Sequence, residues 1–484
     1  MKKPALIFVC TLMLAATSAV FAQPPEVLWT KTLNGQIGYS VFPSPDGGFV
    51  IGGYTTEDGY RDFYMCKVDD QGEFLWEKTF GNDDRNETMN AMIETSDGGF
   101  LLCGNRAEDA PYSSYADIYL VKTDADGVQE WYSILGDDGE TESPNSVAET
   151  PEGGFIMCGS SWTSSSNGYD IVLTKVNELG AFEWKHNYDL DDGKAEHGIW
   201  VEVSADGDIL VAGDTQAFNP NYDYDAVIMT TTPLGTLLSI NTFGEDWPMY
   251  EAANRLLQCS DGSRLICGYQ NDDGLDNNWY VVKTGSNGWT HVIGGTYHEK
   301  AFNACETADG GFAVTGNYHF ENSWNSFIVR YTADGDTLWT KMWGDPDQSQ
   351  NNYDIKQLDD GGFITVGSTA AAGENPGIYL TRLSAGTTGT GKPYLQSGNN
   401  VELVGIQPNP FNRSTQLSYK LNLESRISVT LFDVAGNRIS KVLDKAEGPG
   451  FHTVIMGEGL VPGIYFCRLQ TEGTVVVTKL VRTK

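Results

Sequence analysis

Five glutamates recur at one offset. Glu87, Glu142, Glu196, Glu251 and Glu299 each stand ten residues before an acidic turn residue (Asp97, Glu152, Asp206, Asp261 and Asp309), and Gln36 and Gln350 hold the same offset from Asp46 and Asp360. Carboxylates repeated in this way suit two chemistries: oxygen ligation of a hard cation such as Ca²⁺, or acid/base work by a carboxylate pair as in many glycosidases. Aromatics lie in the longer connections, among them Tyr112, Trp162, Tyr222 and Trp324, and flat rings beside carboxylates suit a sugar ring or a basic protein surface. These nine residues are the candidate ligand-binding set. The plainer alternative is that each glutamate accepts hydrogen bonds from a neighbouring structural unit. Familiar catalytic motifs are missing: there is no HExxH and no GxSxG, and GTTGTGKP ends in Pro393 where a phosphate-binding loop needs Ser or Thr. The turns DADG and TADGD lack a full calcium ligand set. No catalytic residue, metal ligand set or cofactor is assigned, with Ca²⁺ the one ion the glutamates would suit.

The elements that must hold these residues repeat. SPDGGFVIGG, SDGGFLLCG, TPEGGFIMCG and TADGGFAVTG carry the same turn and strand, and the turn acids follow one another at intervals of 48 to 55 residues. A period of that size built from strands indicates propeller blades. Asp-Gly-Gly is hairpin chemistry, because Asp caps the turn and Gly takes the positive φ. After each hairpin comes a β-rich run such as DFYMCKVD or DIYLVKTD and then an outer strand such as EFLWEKTFG. That makes four strands per copy. The last copy has no outer strand of its own, and VLWTKTLNG near the N-terminus matches the missing one. Val27 to Leu33 is therefore expected to pair with Ile378 to Leu383 and close a seven-bladed ring. Lys67 and Trp76, Lys122 and Trp131, Lys175 and Trp184, and Arg330 and Trp339 are each nine apart, a spacing that predicts a cation beside an indole across a hairpin.

Bulk properties narrow the class. With 65 acidic and 31 basic side chains the net charge is −34, so a phosphate backbone is repelled and nucleic acid is excluded as a partner. Residues 1–22 read as a signal peptide, with an apolar core shorter than the roughly 20 residues of a membrane span; no transmembrane segment is expected. The seven cysteines beyond it show no close-spaced framework, which argues against a disulfide scaffold. Cys103, Cys158 and Cys267 share one repeat position and read as packing residues.

The stretch GGYTTEDGYRDFYMCKVDDQGEFLWEKTFG, residues 52–81, resembles bacterial seven-bladed propeller repeats. After a Gly/Thr linker the charge balance reverses, with ten basic and seven acidic residues in 393–484. Alternating runs there predict a small β-sandwich. QPNPFNRSTQLSYKL, VTLFDVAGNRI, GFHTVIM, VPGIYFCRL and the terminal TKLVRTK resemble the C-terminal sorting domain (type A) of type IX secretion substrates. That resemblance implies the type IX secretion machinery as a partner, and Pro462, Gly463, Tyr465, Lys479, Arg482 and Lys484 as sorting positions. The expected architecture is all-β: signal peptide (1–22), seven-bladed β-propeller (27–384), linker (385–400) and an immunoglobulin-like sorting sandwich (401–484). The expected product is a secreted or outer-membrane-surface protein, a monomer, that binds glycan, protein or cation without chemistry of its own. The alternative is a polysaccharide hydrolase or lyase using carboxylates near the propeller channel.

Overall fold

A computed structural model describes residues 24–386 and 401–483, apart from 58, 82–84, 108–115, 137–140, 163–167, 192, 218–223, 244–248, 273–275, 286, 294–297, 321–322, 346, 372, 410, 422–424, 434–437, 449 and 472–474. The expected signal peptide, Tyr112, Tyr222, Lys484 and most of the expected linker thus lie outside the described residues. All regular structure among the described residues is β. The first sheet runs Ile37–Pro43, Phe49–Glu57, Tyr60–Val68, Phe74–Phe80, each strand antiparallel to the next. The same order recurs over residues 87–135, 141–188, 196–243, 249–293 and 299–343, the second and third arrays being joined by one parallel bridge between Thr141 and Ala116. The last sheet has three strands of its own, Gln348–Gln357, Phe363–Ala371 and Gly377–Leu383, and takes Val27–Leu33 as its fourth. The Ser384 amide donates to the Glu26 carbonyl at 2.9 Å and the Glu26 amide to Ser384 Oγ at 2.9 Å, which pins the end of this pairing.

Local chemistry explains the recurring hairpin. In SDGGFLLCG the Gly98 amide donates to the Thr95 carbonyl at 2.8 Å, and Asp97 Oδ1 accepts from Thr95 Oγ1 at 2.6 Å and from the Gly99 amide at 3.0 Å. Lys122 does sit directly opposite Trp131 in register, as its spacing required. Its ammonium goes instead to the turn acid, 2.9 Å from Asp97 Oδ2. The expected cation over an indole is thus replaced by an ion pair that ties the third strand to the first hairpin. Lys67 with Asp46, Lys175 with Glu152, Lys283 with Asp261, Arg330 with Asp309 and Arg382 with Asp360 repeat it. The physical reason is electrostatic: a buried ammonium gains more from a carboxylate than from a ring quadrupole.

Every first strand carries a bulge at one place, between Gly38 and Ser40, Met89 and Ala91, Pro144 and Ser146, Gly198 and Trp200, Ala253 and Arg255, Ala301 and Asn303, and Asn352 and Asp354. The extra residue turns a side chain out of its own ladder. Asn90 Nδ2 donates to the Pro144 carbonyl, Asn145 Nδ2 to the Gly198 carbonyl and Asn254 Nδ2 to the Ala301 carbonyl, each at 2.8 Å. Tyr39 and Tyr353 instead pack ring to ring at 5.4 Å, joining the first sheet to the last. Apolar cores are shared between successive sheets, for example Phe63, Met65, Met89 and Leu102, and a further core places Val41 and Ile51 against Val366 and Ile378. Each fully buried side chain of this kind contributes roughly 1.5–3 kcal/mol.

Residues 401–482 form a three-stranded and a four-stranded antiparallel sheet. They share one core that includes Phe411, Leu417, Tyr419, Val429, Cys467 and Leu480. The seven described cysteines are free, and all but Cys305 are buried. Burial pushes the Cys267 and Cys467 thiols up to about 12, as expected of packing residues with no ionised form at neutral pH.

Candidate functional site

Glu87, Glu196 and Glu299 sit at the starts of first strands, Glu142 one residue inside and Glu251 two residues inside. Glu87, Glu142, Glu196 and Glu251 are at most 1% exposed, and Glu299 is half-buried. Three of them meet a partner from their own sheet, not from the neighbouring unit that the plainer reading expected. Arg106 Nε lies 3.0 Å from Glu87 Oε1, Lys185 Nζ 2.5 Å from Glu142 Oε1, and Gln270 Nε2 donates to Glu251 Oε1 at 3.1 Å. A Cβ at Gly81 would fall 1.9 Å from Asp62 Oδ1 and 3.0 Å from Glu87 Oε2. An aspartate from one sheet, a glycine and the next sheet's glutamate thus converge inside the seam. Glu196 differs, because its carboxylate lies with those of Asp170 and Asp189, their oxygens within 4.8 Å of one another.

The same end of the sheets carries a track of rings. Tyr169 and His197 are 5.5 Å apart between centroids, His197 and Tyr224 stack at 5.6 Å, Tyr224 and Tyr250 approach to 5.0 Å, and Tyr250 and Tyr269 stack at 5.7 Å. Lys300 Nζ ends the track 4.3 Å above the Tyr269 ring. The track therefore crosses from the third sheet to the sixth. Trp162 pairs in register with Tyr169 and is 37% exposed. Trp324 joins a second group, 5.0 Å from His319 and 6.4 Å from His298. Burial raises the hydroxyl pKa values of Tyr224, Tyr250 and Tyr269, so all three stay neutral donors at physiological pH. Burial lowers the affinity of His197 for its second proton, but Asp214 Oδ1, 2.6 Å from Nδ1, outweighs it and leaves the pKa above the ordinary histidine value.

Reading the longer connections finds Trp162, Tyr169, Tyr224 and Trp324, of which the structure places Trp162, Tyr169 and Trp324 in strands, but misses His197, Tyr250 and Tyr269. A signal existed: His197 follows and Tyr250 precedes the recurring glutamate, and Tyr269 follows the recurring glycine Gly268. Those offsets fall at the same end of every sheet.

In the C-terminal module Tyr465 is 6% exposed and its hydroxyl donates to the Val461 carbonyl at 2.8 Å. Gly463 pairs with Arg482, whose Nη1 donates to the Gly457 carbonyl at 2.9 Å. Pro462 is exposed, and Lys479 pairs with Phe466 in the last strand. Pro462, Gly463, Tyr465 and Arg482 thus gather where the last two strands meet.

Solved structures similar to this chain include a protein of unknown function from Dyadobacter fermentans DSM 18053 (10% identity, 75% of this chain and 99% of that one, TM-score 0.44). Others are the polysaccharide lyase Uly1 (11%, 77% and 94%, TM-score 0.45) and Sqt1 from Chaetomium thermophilum (11%, 75% and 100%, TM-score 0.42). No curated protein matches. Residues 405–483 match the family model of the secretion system C-terminal sorting domain. The chain therefore carries a type IX sorting module, which indicates the secretion machinery as a partner and a secreted or cell-surface destination.

Proposed function

We propose that residues 27–384 form a seven-bladed β-propeller, delivered to the cell surface by an immunoglobulin-like, type A sorting sandwich at 401–484, and that the protein works there as a monomeric glycan-binding scaffold. The propeller reading is supported by cores shared between successive sheets, including the one that joins Val41 to Val366. The ring track from Tyr169 to Tyr269 carries the binding reading. The apolar faces of a pyranose stack on aromatic rings, while neutral phenol hydroxyls and flanking carboxylates and amides meet its hydroxyl groups. A protein ligand would instead be drawn by charge, and the rings here are the more specific feature. Glu87, Glu142 and Glu251 are occupied by partners of their own sheets in this account and do not touch the ligand.

The test uses the full chain on a glycan array. Tyr224→Ala with Tyr250→Ala should reduce binding to the best glycan at least tenfold while leaving the sheet circular dichroism intact. No glycan bound, or equal binding by the double variant, would refute the reading, and release of new sugar ends from a bound polysaccharide would make the protein a hydrolase or lyase. For sorting, removal of residues 461–484 should hold the protein in the periplasm; surface display of that truncation would overturn the assignment.

A further inference from the structure

One seam departs from the others. Where the outer strand of a sheet ends, Gly81, Gly136 and Gly344 leave room for a polar side chain from the strand beside it: a Cβ there would fall 1.9 to 2.0 Å from an oxygen of Asp62, Asp117 or Asn325. The third sheet ends at Tyr188 and follows it with Asp189. A glycine that merely makes space has become a third carboxylate, placed beside Asp170 and Glu196.

We propose that Asp170, Asp189 and Glu196 bind a divalent cation, with Ca²⁺ the fitting ion, as a staple between the third and fourth sheets. Asp170 comes from the third sheet and Glu196 from the first strand of the fourth, while Asp189 lies on the segment between them. Their oxygens lie within 4.8 Å of one another, a separation that one ion ligated at about 2.3–2.6 Å can span. Glu196 is fully buried, and no side chain among the described residues donates a hydrogen bond to either of its carboxylate oxygens. Glu87 and Glu142 meet a cationic side chain, and Glu251 meets an amide, at the same repeat position. Glu196 is opposite Thr215 in register and receives no such group.

The neighbouring charges do not neutralise the cluster. Lys194 Nζ is directed at Asp191, 3.3 Å away, and at the Ala217 carbonyl, while His197 is engaged by Asp214. Asp191 adds a further negative charge. Burial raises the Glu196 carboxyl to about 7, with Asp189, Asp170 and Asp191 adding to the rise and the Leu190 amide opposing it. Two buried carboxylates with a third beside them are unfavourable together unless protons or a cation compensate them. Asp189 is exposed, which leaves an entry side and room for the water ligands Ca²⁺ ordinarily keeps. The staple stands whether or not the ring track binds a glycan.

The test is calorimetry and thermal melting of the full chain, stripped with chelator and then titrated with Ca²⁺, Mg²⁺ or Tb³⁺. Wild type should bind one Ca²⁺ per chain and melt at a higher temperature with millimolar Ca²⁺ than without. Asp189→Gly, which restores the glycine used elsewhere in the repeat, should keep the fold in chelator and lose at least tenfold in Ca²⁺ affinity; Glu196→Gln should do the same. No binding by wild type, or unchanged affinity in the folded Asp189→Gly variant, would overturn the proposal.

Discussion

Two glycines of SDGGFLLCG are required for different reasons, and substituting each by alanine separates them. Gly98 has φ of 84° and nothing within 4 Å of where a Cβ would stand, so Gly98→Ala meets only the left-handed backbone penalty of about 1 kcal/mol. Stiffening the unfolded chain returns a few tenths of that. Gly104 has no positive φ, but it faces Met89 just before the bulge, and a Cβ there would fall 2.1 Å from the Thr88 carbonyl oxygen and 2.8 Å from Met89 Cα. Both obstacles are backbone and cannot rotate aside, so the two strands must part by more than about 1 Å to reach ordinary contact. Overpacking costs about 1–3 kcal/mol, and losing one or two adjacent ladder hydrogen bonds adds about 1 kcal/mol each. Gly104→Ala should therefore cost about 2–5 kcal/mol, at least twice the cost of Gly98→Ala. Urea unfolding followed by tryptophan fluorescence reads both variants. Equal midpoints for the two, or a Gly104→Ala midpoint matching wild type, would refute the account of this glycine as a close-approach residue.

Other expectations follow from the turn ion pairs and the closing strand. Lys122→Met keeps the buried stem but removes the charge that meets Asp97, and should cost on the order of 1 kcal/mol, because Asp97 is exposed enough for water to replace its partner. Hydrogen bonds from Thr95 and Lys122 hold the Asp97 carboxyl down to about 2, from an ordinary 3.8; since the folded value is the lower one, this stabilisation is present above about 4 and lost as pH falls toward 2. The gap between wild type and Lys122→Met in acid melts should narrow across that window, and a constant gap would count against the pair. Deleting residues 24–33 removes the fourth strand of the last sheet and bares the edge of Gly377–Leu383; size-exclusion chromatography should show aggregation, whereas a soluble, equally stable product would deny Val27–Leu33 its role.

Hairpins, strand order and the borrowed strand at Val27–Leu33 were legible in the residues because each depends on neighbours in sequence or on a pattern missing from one copy. The spacing of Lys122 and Trp131 likewise gave their register. It could not say that the ammonium would choose Asp97, since that acid returns to the third strand only after the sheet has folded. The recurring glutamates were visible as a row, and Arg106 and Gln270 are simply their register partners on the next strand, yet their burial and the reach of Lys185 across its sheet to Glu142 come only with the folded structure. Asp189 is one acid among several in DLDDGKAE until the seam sets it against Asp170 and Glu196. Period and turn chemistry act along the chain, and so the sequence alone determined the repeating sheets and the sorting module. Charge, burial and ring stacking act through space, and only the tertiary structure decided which carboxylates met a cation and which rings formed a track.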